Sequence, residues 1–306
     1  MNKKIAIIGL GKMGLNIGLN LKEKNIDVFG FTDTKEGFES AKEQGLKVFS
    51  TLEDTISNFG EDIRIFWLMV PSNAVDSVLF SQSEGLAGKL RKGDIIIDGG
   101  NSYYKDSRER YNKLKDIGIN FIDCGTSGGV EGARHGACLM IGGDREIYKG
   151  IEWVFLSVGS KGGVGYIGES GSGHYVKMIH NAIEYGMLQA IAEGLNLVKH
   201  GKYKDIDIES LLGVWNHGSI IESYLTGVLE KQLKNYPNLD EIAPIVDDNG
   251  EGAWTILEAI EEKIPLNIGA ISLFERYSSK GADDDANKFI SLMRNGFGGH
   301  AITRQN

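Results

Sequence analysis

The sequence predicts an α/β fold, with a doubly wound sheet first and an all-α C-terminal domain after it. Short β-branched runs alternate with segments of helical spacing over the first half of the chain. That alternation is the pattern of βαβ units and a mainly parallel sheet. A glycine-rich turn, Gly9-Leu10-Gly11-Lys12-Met13-Gly14, follows the first run at once and opens a helical segment, which makes the sheet Rossmann-type. After about Gly165 the strands give way to sustained helical periodicity. The chain has 306 residues, and a single core stops growing near this size, so two domains are expected. The Gly-rich stretch from Gly162 to Gly173 is the expected boundary, giving domains over 1–165 and 166–306.

The first strand runs from Lys3 to Ile8, and the helix after it reaches about Lys24, with Asn25 as its stop. A second strand, Asp27 to Phe31, ends at Thr32-Asp33. Further strands are expected over Ile63–Val70, Asp94–Asp98, Asn120–Asp123 and Ala137–Ile141. His174 to His200 carries unbroken helical periodicity, and Gly201 is placed to end it. Helical segments follow around 206–216, 219–233, 252–262, 267–277 and 283–294.

Composition narrows the function. The net charge of −9 with no basic block argues against nucleic acid or an anionic membrane as partner. An anionic small molecule remains open, because a few local Arg or Lys residues suffice for it. Cys124 and Cys138 lie in apolar surroundings without metal-ligand spacing and read as buried reduced thiols of a cytosolic protein. No signal peptide and no membrane-spanning run is present, so a cytoplasmic protein is expected.

The glycine turn carries the first chemistry. Gly9 allows a tight turn, Gly11 lets the backbone approach a pyrophosphate, and Gly14 permits close helix–sheet packing. The helix N-terminus adds N–H groups and positive dipole for the phosphates. Asp33 lies where a carboxylate would bind the adenosine ribose hydroxyls. It would repel a 2′-phosphate, and no Arg lies nearby to attract one, which favours NAD over NADP. Asn101 and Ser102 follow the strand ending at Asp98, on the side where doubly wound sheets bind ligands, although Asn and Ser also cap helices. Thr126-Ser127-Gly128-Gly129 exposes backbone N–H groups that could hold a carboxylate; a plain loop explains it nearly as well.

The most informative stretch is Lys177-Met178-Ile179-His180-Asn181-Ala182-Ile183-Glu184-Tyr185-Gly186. On a helix, Lys177, His180, Asn181 and Glu184 form one stripe. Apolar residues interleave with it, so a helix buried on most sides with its polar stripe lining a cavity is expected. Desolvation there would push both Lys177 and Glu184 toward neutral, useful for proton transfer. The alternative is a surface helix with a charge pair. Near the C-terminus, Arg294 to His300 forms a glycine-rich basic tail, and Phe297 and Ile302 suggest that it docks, with another subunit as one candidate surface. Arg276 is a second candidate anion-binding group.

Together these residues closely resemble the 6-phosphogluconate dehydrogenases, the decarboxylating enzymes of the pentose phosphate pathway. The likeness rests on Gly9-Leu10-Gly11-x-Met13-Gly14-x-Asn16, Ile97-Asp98-Gly99-Gly100-Asn101-Ser102, Ser127-Gly128-Gly129 and Lys177–Gly186, and covers essentially the whole chain. The length leaves room for one copy of the helical domain that the long form duplicates, so the chain resembles the short, NAD-preferring, largely bacterial branch. Phe66-Trp67-Leu68-Met69-Val70-Pro71 and Gly250-Glu251-Gly252-x-Trp254-Thr255 resemble that branch as well.

The resemblance implies Lys177 as base and then acid at the substrate 3-hydroxyl, and Glu184 as proton donor to C1 of the enediol. It implies that Asn101, Ser127, Gly128, Gly129, His180 and Asn181 hold the sugar acid, and that Tyr185, Arg276 and Arg294 hold its phosphate. His300 would come with Arg294 from a neighbouring subunit of a homodimer or homotetramer. The cofactor contacts implied are Gly9, Leu10, Gly11, Lys12, Met13, Gly14, Thr32, Asp33, Met69, Val70, Pro71 and Asn101. No metal is expected. Two positions depart from the long form: Asn249 stands where it has a phosphate-side lysine, and Asp33 where it has an NADP-selecting arginine. Competing readings are another β-hydroxyacid dehydrogenase of the 3-hydroxyisobutyrate type, and a non-catalytic nucleotide-binding sensor.

Overall fold

The computed structural model describes residues 3–60, 63–82, 85–281, 284–298 and 301–302. Its strands are β1 (Lys4–Ile8), β2 (Asp27–Phe31), β3 (Lys47–Phe49), β4 (Ile65–Leu68), β5 (Ile95–Asp98), β6 (Asn120–Ser127), β7 (Ala137–Gly143) and β8 (Gly159–Gly168). The helices among and after them are α1 (Lys12–Glu23), α2 (Lys35–Glu43), α3 (Leu52–Ser57), α4 (Val75–Phe80), α5 (Tyr104–Asp116), α6 (Gly129–His135), α7 (Arg145–Val158) and α8 (Ser172–His200). Five more follow: α9 (Ile208–Trp215), α10 (Tyr224–Asn235), α11 (Glu251–Glu261), α12 (Asn267–Ser278) and α13 (Asp284–Gly298). By its contacts the chain divides into two compact units, Met1–Met178 and Ile179–Asn306, and the division falls inside α8.

The first unit is built on an eight-stranded sheet of order β3-β2-β1-β4-β5-β6-β7-β8. Its strands read as continuous apolar runs because both faces are covered. Ile5 and Ile7 join one core cluster with Trp67, Ile95 and Ile97. Their neighbours Ala6 and Ile8 join the other, with Phe66, Leu68 and Ile96. The pairings from β3 to β6 are all parallel, and β6 with β7 is antiparallel.

Several sequence expectations change here. The strand expected to end at Asp123 continues to Ser127, because its second half gains β7 as an antiparallel partner. The Gly-rich stretch read as a boundary is largely strand β8, irregularly paired to β7; its glycines hide the strand signal. Strand β3, only Lys47–Phe49, was also unforeseen. Cys124 is buried and Cys138 exposed, since β7 alternates its faces and turns Cys138 outward between buried Ala137 and Leu139. The helix expected to end near Arg294 runs on through the start of the glycine-rich tail to Gly298, as α13. In the second unit two helices are capped by their own side chains: Asp207 accepts from Ser210 N–H at α9, and Ser223 forms a capping box at α10. No described helix is long and apolar enough to cross a membrane.

Candidate active site

The carboxyl ends of β1, β2, β4 and β5 lie side by side. Gly9 N–H donates to Phe31 O at 2.8 Å, Met69 N–H to Ile8 O at 2.7 Å, and Gly99 N–H to Leu68 O at 3.0 Å. This places the glycine turn, Thr32-Asp33, Met69-Val70-Pro71 and Asn101 on one rim. Gly9 has φ +95°, and a Cβ there would meet Met69 O at 2.5 Å. A Cβ on Gly14 would lie 2.0 Å from Gly9 O, so α1 presses against the turn only because that residue is glycine. A Cβ on Gly11, by contrast, would meet nothing within 4 Å, and no side chain caps the start of α1. A helix start without a side-chain cap, and with room beside Gly11, fits the pyrophosphate of a dinucleotide. Leu10 is buried at 2% exposure and packs toward Gly30, so it can offer only backbone. Asp33 is exposed at the end of β2.

The next strand end holds Asn101 and Ser102. Ser102 donates to Asp98 at 2.8 Å and is thereby committed to the turn, while Asn101 is exposed. Neither caps α5, whose N-cap is Tyr103. At the end of β6, Thr126 donates to Gly99 O at 3.4 Å, which ties the Ser127-Gly128-Gly129 turn to the β5 turn. Gly128 and Gly129 both take positive φ.

Lys177 reaches this region through the first turns of α8. Asp123 of β6 accepts Gly171 N–H at 2.6 Å and His174 N–H at 3.0 Å, capping the helix with a carboxylate from the sheet. Burial pushes the Asp123 carboxyl up, while His174 and the two N–H groups pull the other way. Ser107 of α5 lies 2.7 Å from Nδ1 of His174, one turn before Lys177. A Cβ on Gly125 would meet Lys177 Cβ at 2.5 Å and Gly173 O at 2.8 Å. Glycine at 125 therefore lets the helix lie directly on the strand, and Lys177 is 6% exposed beside it.

The remainder of the α8 stripe belongs to the second unit. Asn181 and Tyr185 are buried, whereas the side chains of His180 and Glu184 are 39% and 40% exposed, with 3.9 Å between Nδ1 and Oε2. The expectation that both neighbouring helix faces are buried fails at Ile183, which is exposed, and holds at Met178 and Ala182. One edge of the stripe is thus open, since Ile183 and Glu184 share it. Asn181 Nδ2 donates to Glu251, as does Asn249 Nδ2 at 2.6 Å. The Tyr185 hydroxyl donates to Asn249 Oδ1 at 2.9 Å. The Arg276 guanidinium lies 3.5 Å from the Tyr185 ring centroid and donates to Asp247 O at 2.5 Å. Burial raises the Tyr185 pKa, with Asn249 N–H and Arg276 opposing. Glu251 and Asp123 are the residues that reading for function passed over. The clue to Asp123 was a carboxylate inside the apolar run Phe121–Cys124; that to Glu251 was a carboxylate between two glycines. Arg294 is exposed on α13, and His300 lies outside the described residues. Among the described residues no group of three or more His, Cys, Asp or Glu converges as a metal site.

Two family profiles match. The one described as the NAD binding domain of 6-phosphogluconate dehydrogenase covers residues 4–168, and that of the 6-phosphogluconate dehydrogenase C-terminal domain covers residues 173–305. The Bacillus subtilis protein YqeC, whose name assigns it only provisionally to the 6-phosphogluconate dehydrogenases, is 43% identical over 302 residues, covering 99% of this chain and 100% of its own. A Haloferax volcanii protein named 6-phosphogluconate dehydrogenase, NAD(+)-dependent, decarboxylating, is 35% identical over 305 residues, with 99% of each chain covered. The Plasmodium falciparum 6-phosphogluconate dehydrogenase, solved apo, with NADP+ and with 6-phosphogluconate, superposes with a TM-score of 0.81 at 32% identity. That match covers 99% of this chain and 66% of the other. A 3-hydroxyisobutyrate dehydrogenase from Salmonella typhimurium shares the fold, with a TM-score of 0.76 at 19% identity over 92% of this chain and 95% of its own. The chain belongs to the 6-phosphogluconate dehydrogenase family.

Proposed function

We propose that this protein oxidatively decarboxylates 6-phosphogluconate to ribulose 5-phosphate and carbon dioxide, with NAD as the preferred oxidant. The observation that carries the reading is the α8 stripe, on which Lys177 and Glu184 stand two turns apart on one continuous helix. Bound NAD would supply the hydride acceptor. Neutral Lys177 takes the proton of the substrate 3-hydroxyl as the hydride leaves C3, which produces a β-keto acid. The resulting ammonium returns the proton to the carbonyl oxygen as the carboxylate departs as carbon dioxide, leaving an enediol. Glu184 protonates C1 of that enediol, and loss of the 2-hydroxyl proton completes the ketose. Asn101, the Ser127-Gly128-Gly129 turn, His180 and Asn181 hold the sugar acid; Tyr185, Arg276 and Arg294 hold its phosphate.

The NAD preference rests on Asp33, exposed at the end of β2, where a carboxylate accepts from ribose hydroxyls and repels a 2′-phosphate. The same reading makes the protein a cytoplasmic homo-oligomer in which residues 1–165 bind the cofactor and 166–306 serve substrate and assembly. Its test follows NADH formation and carbon dioxide release together, with 6-phosphogluconate and 3-hydroxyisobutyrate as substrates and NAD and NADP as oxidants. Stoichiometric carbon dioxide with 6-phosphogluconate and a higher kcat/KM for NAD are expected. Turnover of 3-hydroxyisobutyrate without carbon dioxide would assign the rival chemistry, and a preference for NADP would overturn the role of Asp33.

A further inference from the structure

Glu251 opens α11 as a carboxylate only 2% exposed, and the proposed chemistry leaves it without a task. It accepts from Nδ2 of Asn181 and from Nδ2 of Asn249, the latter at 2.6 Å. A carboxylate can only accept, so both amides must turn their NH2 groups toward it and their carbonyl oxygens away. Those oxygens have partners. Asn181 Oδ1 lies 3.0 Å from Nδ1 of His180, and Asn249 Oδ1 lies 2.9 Å from the Tyr185 hydroxyl. An amide carbonyl also only accepts, so Nδ1 of His180 must carry a hydrogen and the Tyr185 hydroxyl must donate.

We propose that Glu251 is a positioning residue that sets the direction of the hydrogen-bond chain His180–Asn181–Glu251–Asn249–Tyr185, holding neutral His180 as its Nδ1–H tautomer. Two consequences follow for the substrate, and they rest on the function proposed above. With Nδ1 protonated, Nε2 of the neutral ring is an acceptor, suited to a sugar hydroxyl and unsuited to a phosphate oxygen, which itself only accepts. Tyr185 has its single hydrogen committed to Asn249, and its oxygen also receives Asn249 N–H at 3.4 Å. Tyr185 therefore serves a phosphate by carrying Arg276 on its ring, 3.5 Å away, and not by donating to it. One carboxylate thus sorts this half-site into a hydroxyl-reading end at His180 and an anion-reading end at Arg276.

The test is the His180 tautomer, read without substrate. Long-range 1H–15N correlation on protein labelled with 15N-histidine distinguishes Nδ1–H from Nε2–H, and a His180→Gln sample identifies the signal. The Nδ1–H pattern is expected in the wild type once the ring is neutral; an Nε2–H pattern would overturn the proposal with no variant needed. In Glu251→Met, which keeps the volume and removes both acceptors, the single tautomer should give way to a mixture. The kcat/KM for 6-phosphogluconate should fall roughly tenfold or more, because the buried Asn181 amide and the Asn249 amide hydrogen-bonded beside it lose their shared partner, while NAD affinity stays unchanged. A folded Glu251→Met protein that keeps a pure Nδ1–H signal would show that Glu251 does not set the direction. If the wild type shows Nδ1–H yet does not turn over 6-phosphogluconate, the substrate reading fails and the hydrogen-bond chain stands.

Discussion

Lys177 combines features that a solvent-exposed lysine lacks. It is 6% exposed, its Cβ lies against the bare backbone of Gly125, and it follows a helix start capped by Asp123. Such packing holds the side chain in one place, as the proton transfers proposed for it require. Lys177→Met should lower kcat by about 10²–10⁴-fold, the usual contribution of a positioned acid–base group. NAD binding, followed by fluorescence titration, should persist, because the role proposed for the lysine is on the sugar. Glu184 is assigned to a later step, so Glu184→Gln should separate the phases. Rapid mixing should show a first-turnover burst of NADH followed by slow steady turnover. A variant that lacks the burst would place Glu184 before or at hydride transfer and reassign it.

At the scale of elements, the site depends on how closely α8 lies on the sheet. Gly125→Ala would set a Cβ 2.5 Å from Lys177 Cβ and 2.8 Å from Gly173 O, and neither the strand nor the helix backbone can yield by rotamer change. Overpacking of this kind costs about 1–3 kcal/mol, which should lower the melting temperature by several degrees. The kcat should drop with it, since Lys177 moves with the helix. An active variant with an unchanged melting temperature would mean that the contact is slack. This dependence was only partly legible in the sequence. The glycine turn after β1, the alternation of strands with helices, and the polar stripe of α8 are local patterns, and the structure shows the turn and the helix where the pattern places them. Strand β8 was hidden because Gly159–Gly168 has little β-propensity and forms by pairing with β7. Glu251 and Asn181 are separated by 70 positions, a distance that no periodicity spans. The Asp123 cap likewise joins a strand to a helix start 48 positions later. Local spacing singled out the residues proposed for the chemistry; the contacts that hold them needed the fold.

For the whole molecule, the prediction turns on α13. Phe289, Ile290, Leu292 and Met293 are all exposed on this helix, a concentration of apolar surface that water does not favour. Ile290 and Arg294 stand at i and i+4, so an apolar residue and a guanidinium share one face. Such a face suits docking on a second copy, with Arg294 delivered to the partner's phosphate-binding end, and this is the assembly proposed here. Two defective variants should then rescue each other. Lys177→Met removes the base from one chain's helix, and Arg294→Ala removes the cation from the other chain's arm. A mixed assembly contains sites with an intact helix from the Arg294→Ala chain and an intact arm from the Lys177→Met chain. Under random mixing roughly a quarter of sites would be whole, provided that each site takes helix and arm from different subunits. Co-expression of differently tagged chains, with both tags recovered in one complex, should therefore give activity well above either parent. The wild-type enzyme should also sediment as a dimer or larger. Confirmed mixing without recovery would mean that Arg294 serves its own subunit, and a fully active monomer would remove the shared site altogether.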